Sequence, residues 1–514
     1  MLTFDVGTQS TRAMLVNKTG EIELSSKIQY ESPAIQSDVF EQAEQYPEFY
    51  YNMVCESAKR LRQQDSENLF SRIVAVTLTC IRDTVLVLDK DRRPLRNIIV
   101  WMDGRRAPGK PDIPIWKRVL FAIVGMADTV EKLYKDSFYN WIKKCEPEIM
   151  AKTDKFVMLP GYINYLMTGE LKDSVANQVG HIPFDNRKRV WMKRGLARCV
   201  ADIPLCCLID LVESGETIGY VTRRCSEASG IPEGLPLIAT GTDKACEALG
   251  LSVISEGKAA VSLGTQATIQ FCSKSYFEPQ PFIPSFPSVI PGRFNAEYQI
   301  YRGYWTVIWF KEQFCQYEEA EAKRLGVCTE SLLDRYLEEV PQGCNGLIMV
   351  PHMAPGTGNP NARAVLMGLS DQHTKKHLYR AIVEGINFDL YHAMKRMERR
   401  SAQKIKEIYI AGGGSQCDEI LQITADMFGL PVKRIQTHEA TGIGSSIAAF
   451  VGLGEFSSYE EATAAMVHDA DCFIPDMKIH EKYKEIYSSI YKRLEFSVKG
   501  ILRKIRKVFS SERN

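Results

Sequence analysis

The chain has 514 residues, more than one hydrophobic core usually supports, so its size predicts two or more domains. Its 64 Lys and Arg against 63 Asp and Glu leave no global field to recruit nucleic acid or an anionic membrane, and no run approaches the roughly 18 apolar residues of a membrane span. The 14 cysteines are scattered and lack C-x-x-C spacing, which argues against a disulfide framework or a zinc site; with no basic-then-apolar leader, the expected compartment is the cytoplasm.

From the N-terminus, Leu2-Thr3-Phe4 reads as a strand, followed by a Gly7-Thr8 turn, a strand over 12–17, a Lys-Thr-Gly turn and a strand over 21–30, which is an antiparallel meander. The first strand is short, which leaves open a start upstream of Met1. Phe49, Tyr50, Met53, Val54, Ala58 and Leu61 recur at helical spacing and predict a helix over 47–61, and strand-like runs follow at 73–79, 84–88 and 98–101. A meander, a helix and further strands predict an α/β domain with a mixed sheet. The same grammar returns at 259–263, Gly264-Thr265-Gln266 and 267–272, and again where 408–411 leads into Gly412-Gly413-Gly414 and a helix over 417–428. This repetition predicts a duplicated fold, with domains over 1–250 and 251–514 and a boundary near 251–257.

The turn Gly7-Thr8-Gln9-Ser10, with Arg12 beyond it, allows a tight backbone approach in which N–H groups and hydroxyls point at phosphate oxygens. Asp5 would repel a phosphate unless a cation intervened, which suggests a water-bridged Mg²⁺. The alternative is an ordinary glycine hairpin, and the same alternative holds for Gly264-Thr265-Gln266.

In series, DVGTQSTRA, WMDGRRA, TGTDKACEALG, VSLGTQA, RAIVEGINFDL, AGGGSQCDEILQITADMFGLPV and EATGIGSSIAAFVGLG resemble the successive motifs of the FGGY carbohydrate kinase family over roughly residues 1–460. The resemblance implies two ribonuclease-H-like domains of the actin, hexokinase and heat-shock ATPase superfamily around a central cleft, and ATP-dependent phosphorylation of a small sugar or polyol with ATP and Mg²⁺. It implies phosphate loops at Gly7, Thr8, Gln9, Ser10 and Arg12 and at Gly264, Thr265 and Gln266, an adenosine loop at Gly412, Gly413, Gly414 and Ser415, and Asp243 as the base. Arg82 and Asp83 stand where glycerol kinase and some relatives carry an Arg-Glu pair, and Trp101 and Asp103 match residues lining the same pocket. For Arg82-Asp83 a strand-end ion pair is the alternative, and for Trp101 a core position.

Two residues depart from the family pattern. Lys244 follows the base where many relatives have Asn or Gln, and Tyr304 stands near where many have the glycine that flanks adenine. A lysine at 244 is expected to pull the Asp243 pKa down; it either faces the substrate, selecting an acidic acceptor, or pairs with Glu247. PGTGNPNARAVLMGL resembles xylulokinases, whereas RDTVLVLD and WFKEQFCQYEEAEAKRLG resemble quorum-signal kinases; a ketopentose such as xylulose is the leading substrate. The rival reading is a catalytically weak sugar or nucleotide sensor on the same fold. The expected partner is the small-molecule substrate, with a homodimer left open, and the basic stretch from Lys492 to Lys507 is expected to be a terminal helix packed on its own domain, with a membrane or partner surface as the alternative.

Overall fold

The structure, a computed structural model, describes residues 1–37, 41–123, 126–195, 197–281, 283–356 and 361–510. Residues 357–360, within PGTGNPNARAVLMGL, lie outside the described residues. Contacts divide the chain into two units, neither contiguous: Met1–Ile254 with Phe286–Asn295 and Glu439–His468, and Ser255–Ser285 with Ala296–His438 and Asp469–Asn514.

The first unit is built on β1 (Leu2–Val6), β2 (Ser10–Val16), β3 (Ile22–Gln29), β4 (Val76–Cys80), β5 (Thr217–Tyr220) and β6 (Pro236–Ile238), in the order β5-β6-β4-β1-β2-β3. The meander β1-β2-β3 is antiparallel, while β4 runs parallel to both β1 and β6, giving the mixed sheet that the sequence predicts. Both central strands β1 and β4 are buried along their whole length, so their composition is continuous Leu, Val, Phe and Thr rather than alternating. Asp5, next to last in β1, is the one charge in that run.

The Phe49–Gln64 helix buries Tyr50, Val54, Ala58 and Leu61 in a core shared with Leu2 and Phe4. The Ala440–Gly452 helix contributes Ile443 and Ile447 to a second core with Met14 and Val16. This helix reads TGIGSS because it meets the Asp243–Gly250 helix backbone to backbone. A Cβ on Gly444 would lie 1.9 Å from the Cys246 carbonyl oxygen, and one on Gly250 would lie 1.8 Å from that of Ala440. Its serines reach the sheet, Ser446 to Thr3 at 2.7 Å and Ser445 to Thr77 at 3.1 Å. A four-stranded excursion of Glu44–Gln45, Ile98–Ile99, Val85–Leu88 and Lys155–Met158 has its own core around Val87, Phe138, Ile142 and Phe156.

The second unit repeats the pattern with β7 (Lys258–Leu263), β8 (Ala267–Ser273), β9 (Phe294–Ile300, within this unit from Ala296), β10 (Glu407–Ala411), β11 (Val432–Ile435) and β12 (Asp469–Phe473), running β9-β8-β7-β10-β11-β12. Strand β7 is antiparallel to β8 and parallel to β10, as β1 is to β2 and β4, so the predicted duplication is present at the level of fold. The helix Lys492–Ser510 buries Leu494, Val498 and Leu502 in this unit's core, and its seven basic residues between Lys492 and Lys507 are all exposed. The terminal helix therefore packs on its own unit, and its charge is the solvated face of an amphipathic helix.

Candidate active site

Strands β4 and β6 end side by side and bring their following loops together. Thr79 Oγ1 donates to the Gly241 carbonyl at 3.0 Å, and Thr240 Oγ1 donates to that of Leu78 at 2.6 Å. Thr242 caps the next helix, its Oγ1 accepting from the Ala245 N–H at 3.3 Å, which places Asp243 in the first helical turn. Asp243 Oδ1 accepts from the Lys244 N–H at 2.8 Å and lies 3.8 Å from Arg82 Nε, a Coulombic pairing too long for a hydrogen bond. Burial raises the Asp243 pKa, against the opposing pull of Arg82 and then of Lys244. Lys244 thus acts in the expected direction, but desolvation dominates. The Lys244 ammonium sits 2.5 Å from Glu247 Oε2, one helical step along, with both side chains largely buried.

Asp83 follows Arg82 with φ of +51°, a left-handed backbone that non-glycine residues seldom adopt. Its Oδ2 lies 3.0 Å from Nδ1 of His181, and a Cβ on Gly180 would fall 2.5 Å from its Oδ1. Trp101 packs against the first unit's main core and donates its Nε1–H to Thr8 Oγ1 at 2.9 Å, so it ties the β1-β2 turn to the loop 101–105. Asp103 is 3% exposed, and both of its oxygens are engaged by this chain: Oδ2 accepts from the Ala43 N–H at 2.9 Å and from the Arg105 guanidinium at 2.7 Å, and Oδ1 accepts from the Arg105 N–H at 2.9 Å. Arg105 in turn lies over the Trp141 ring, 4.2 Å from its centroid. Asp103 therefore holds a loop, whereas Asp83 sits beside the cation that faces Asp243.

At the β1-β2 turn the Gly7 N–H donates to the Ser10 carbonyl at 2.9 Å, and Gln9 presents its carbonyl to the Tyr30 N–H at 2.8 Å. Asp5 Oδ2 accepts from Arg12 at 3.1 Å, and Arg12 also pairs with Glu439 at 3.3 Å. Burial raises the Asp5 pKa to about 6 despite Arg12, and the neighbouring charges of Asp243 and Glu439 push the same way. Arg12 thus offsets only part of the cost of burying Asp5 beside two other carboxylates. The residues fit Mg²⁺, which keeps several waters and takes one or two carboxylates rather than a closed protein cage. Among the described residues, Asp5 and its acidic neighbours do not converge into a set of three direct ligands.

In the second unit, the β7-β8 turn is held from outside: Gly264 and Thr265 offer their carbonyls to the N–H groups of Tyr304 and Trp305 at 3.1 and 3.3 Å, and the Gln266 side chain accepts from Gln299. Gly412 has φ of +91°, and a Cβ there would lie 2.7 Å from the Leu263 carbonyl carbon. Ser415 closes the loop with its N–H and Oγ on the Gly412 carbonyl at 3.0 and 2.7 Å. Tyr304 lies against Gly414, where a Cβ would meet its ring at 2.6 Å, so glycine at 414 accommodates the tyrosine. Nothing lies within 4 Å of a Cβ at Gly413. Close to this loop's end Asp334, Cys417 and Glu419 cluster, a grouping that the dispersed spacing of His and Cys gave no sign of. The Cys417 thiol, pushed up by burial, donates to Glu419 at 3.3 Å.

Two family models match the chain in succession, the N-terminal domain of the FGGY family of carbohydrate kinases over residues 1–250 and its C-terminal domain over residues 259–453. The chain belongs to the FGGY family of carbohydrate kinases. It is an enzyme that transfers phosphate from ATP to a sugar. Over 509 residues the kinase is 27% identical to the uncharacterized sugar kinase YgcE of Escherichia coli K12, covering 99% of this chain and 96% of that one. It is 28% identical to the xylulose kinase of Bacillus subtilis strain 168, over 95% of both chains. The crystal structure of a ligand-bound xylulose kinase from Lactobacillus acidophilus superposes with a TM-score of 0.82 at 20% identity, covering 98% of this chain and 99% of that one, which supports the two-domain kinase fold. Among the described residues, no helix is long and apolar enough to cross a membrane.

Proposed function

We propose that the kinase phosphorylates a neutral small sugar, with a ketopentose of the xylulose type as the leading candidate, and that Asp243 accepts the proton of the attacking hydroxyl. The observation that carries the neutral preference is the Lys244–Glu247 pair at 2.5 Å, which engages the lysine ammonium within its own helix. A carboxylate-bearing acceptor would have to compete with Glu247 for it. The relatedness to xylulose kinases supports the same class.

In this reading residues 1–250 handle the sugar and its incoming phosphate, and residues 251–514 handle the nucleotide. Arg82 and Asp83 orient the sugar by complementary hydrogen bonds, Arg82 donating and Asp83 accepting. Trp101 keeps the 7–10 turn in register with that pocket, and Asp103 fixes the loop carrying Trp101. Asp243, raised by burial and steadied by Arg82, takes up the hydroxyl proton as the oxygen bonds to the γ-phosphorus of ATP and the bond from that phosphorus to the ADP oxygen breaks, releasing ADP. The backbone at Gly7, Thr8, Gln9 and Ser10, with Arg12, and at Gly264, Thr265 and Gln266 binds the phosphates, while Gly412, Gly413, Gly414 and Ser415 bed the adenosine. Asp5 would hold Mg²⁺, which would supply the positive charge that the phosphates need.

A coupled assay of ADP release over neutral pentuloses, hexuloses and polyols, with sugar acids alongside, tests this. The highest kcat/KM is expected on a neutral ketose. Preference for a sugar acid would overturn the substrate class, and absence of turnover with every acceptor would favour a sensing role.

A further inference from the structure

The sugar must be oriented as well as deprotonated, and the orienting carboxylate is itself held by a residue outside the family motifs. We propose that His181 is a positioning residue for the sugar: it grips Oδ2 of Asp83 and so fixes which carboxylate oxygen, Oδ1, meets the substrate. This deepens the proposed function and rests on reading Arg82 and Asp83 as the sugar clamp.

Three features converge on Asp83. Its backbone occupies the left-handed region at φ of +51°, so the loop aims the side chain at a cost that the surrounding structure must offset. Gly180, at φ of +151°, leaves room for it: a Cβ there would lie 2.5 Å from Oδ1 and 3.2 Å from Cγ, so any side chain at 180 would displace the carboxylate. His181 Nδ1 lies 3.0 Å from Oδ2, with the two side chains 19% and 25% exposed. A loop conformation, a glycine vacancy and a ring nitrogen thus define one carboxylate orientation, from two segments nearly a hundred residues apart in sequence. The neighbouring Arg82 is the same guanidinium that lies 3.8 Å from Asp243. An error in the Asp83 orientation is therefore transmitted to the sugar at the residue next to the one that faces the base.

The charge state follows from the surroundings. Burial pulls the His181 pKa down, but Asp83 and, less strongly, Asp136 pull it up against Lys132, and the net result is above the usual 6.5. Asp136 is itself paired with Arg106 at 2.9 Å and with Lys132. With a raised pKa, the charge-assisted bond to Asp83 is complete at low pH and weakens as pH rises through the His181 pKa. In its Nδ1–H tautomer the neutral ring still donates to the carboxylate, a bond that keeps the acceptor's charge and loses only the Coulombic attraction of the imidazolium.

The test is steady-state kinetics of the full-length enzyme from pH 6 to 9, with the best neutral sugar and with ATP, for His181→Leu, His181→Gln, Asp83→Asn and the double variant Asp83→Asn/His181→Leu. His181→Leu should raise the sugar KM about tenfold, the loss of one buried charge-assisted hydrogen bond, with the effect on KM rather than kcat and the KM for ATP unmoved. His181→Gln, which keeps a neutral donor, should recover most of that loss and should lack the alkaline rise in sugar KM that the wild type is expected to show. The double variant should be no worse than Asp83→Asn alone, because the histidine acts through the carboxylate. A sugar KM within about twofold of wild type in both His181 variants, with Asp83→Asn impaired, would overturn the role of His181 while leaving the clamp intact. An unchanged sugar KM in Asp83→Asn would overturn the clamp and this inference with it.

Discussion

The two glycine-threonine hairpins stand in the same topological slot of the two units, yet their chemistry differs. In the first, Asp5 of β1 lies directly opposite Arg12 of β2; in the second, the position two residues before the turn glycine is Ser262, opposite Thr268. The contrast extends to the adjoining parallel strand. Strand β4, beside β1, runs on into Arg82 and Asp83, whereas β10, beside β7, runs on into Gly412-Gly413-Gly414. One architecture, open at the carboxyl ends of its parallel strands, has been loaded with ionisable side chains in one copy and with bare backbone in the other. Ionisable groups suit a reaction in which a proton moves and a metal is held, and glycines suit close approach of a flat ligand to the main chain. The lesson is that a duplicated scaffold specialises through residues at strand ends rather than through its strands.

The comparison breaks most sharply at Asp243. Asp243→Asn should lose about 10²–10⁴ in kcat, as expected for a removed general base, while ATP still binds with near-normal affinity by calorimetry. Retained turnover would mean that the charged slot does not carry the chemistry.

A smaller and opposite effect is expected at Asp5. Its carboxyl titrates at about 6 in the fold against 3.8 unfolded, chiefly because it is buried. Well below 3.8 both states are protonated and the group contributes nothing. Well above pH 6 both are ionised, and the buried charge lowers stability by about 1–3 kcal/mol, an order of magnitude from the shift. Asp5→Asn should therefore raise the urea midpoint at pH 7.5, with the gain fading as pH falls towards 4, and should lose Mg²⁺-dependent turnover. A variant less stable at pH 7.5 would make the Asp5–Arg12 pair a structural ion pair instead of a site that keeps its charge for function.

Much of this contrast was legible in the sequence. Glycine followed by threonine between apolar runs marked both hairpins, and alternation of strand and turn marked the duplication, because turn chemistry and burial are local signals. Three features were not legible. The Ala440–Gly452 helix joins the first unit through backbone contact at Gly444 and Gly250, an interaction that leaves only small residues as its trace. Asp103, read beside Trp101 as a pocket residue, is committed to Arg105 and Ala43, since a carboxylate in a motif does not announce its partners. His181 carried no motif at all, and only the left-handed backbone at Asp83 and the space beside Gly180 bring it into view.

The division of labour itself is tested most directly at Gly413, where, among the described residues, a Cβ would meet nothing within 4 Å beyond its own chain neighbours. The measurement is the KM for ATP and the KM for sugar of Gly413→Val, with the melting temperature as a control on folding. If adenosine beds on this loop, the variant should keep its melting temperature and its sugar KM while its KM for ATP rises about tenfold or more, because the added methyls occupy the space the nucleotide needs. An unchanged KM for ATP, or an equal rise for both substrates, would contradict the assignment of the glycine-lined slot to the nucleotide.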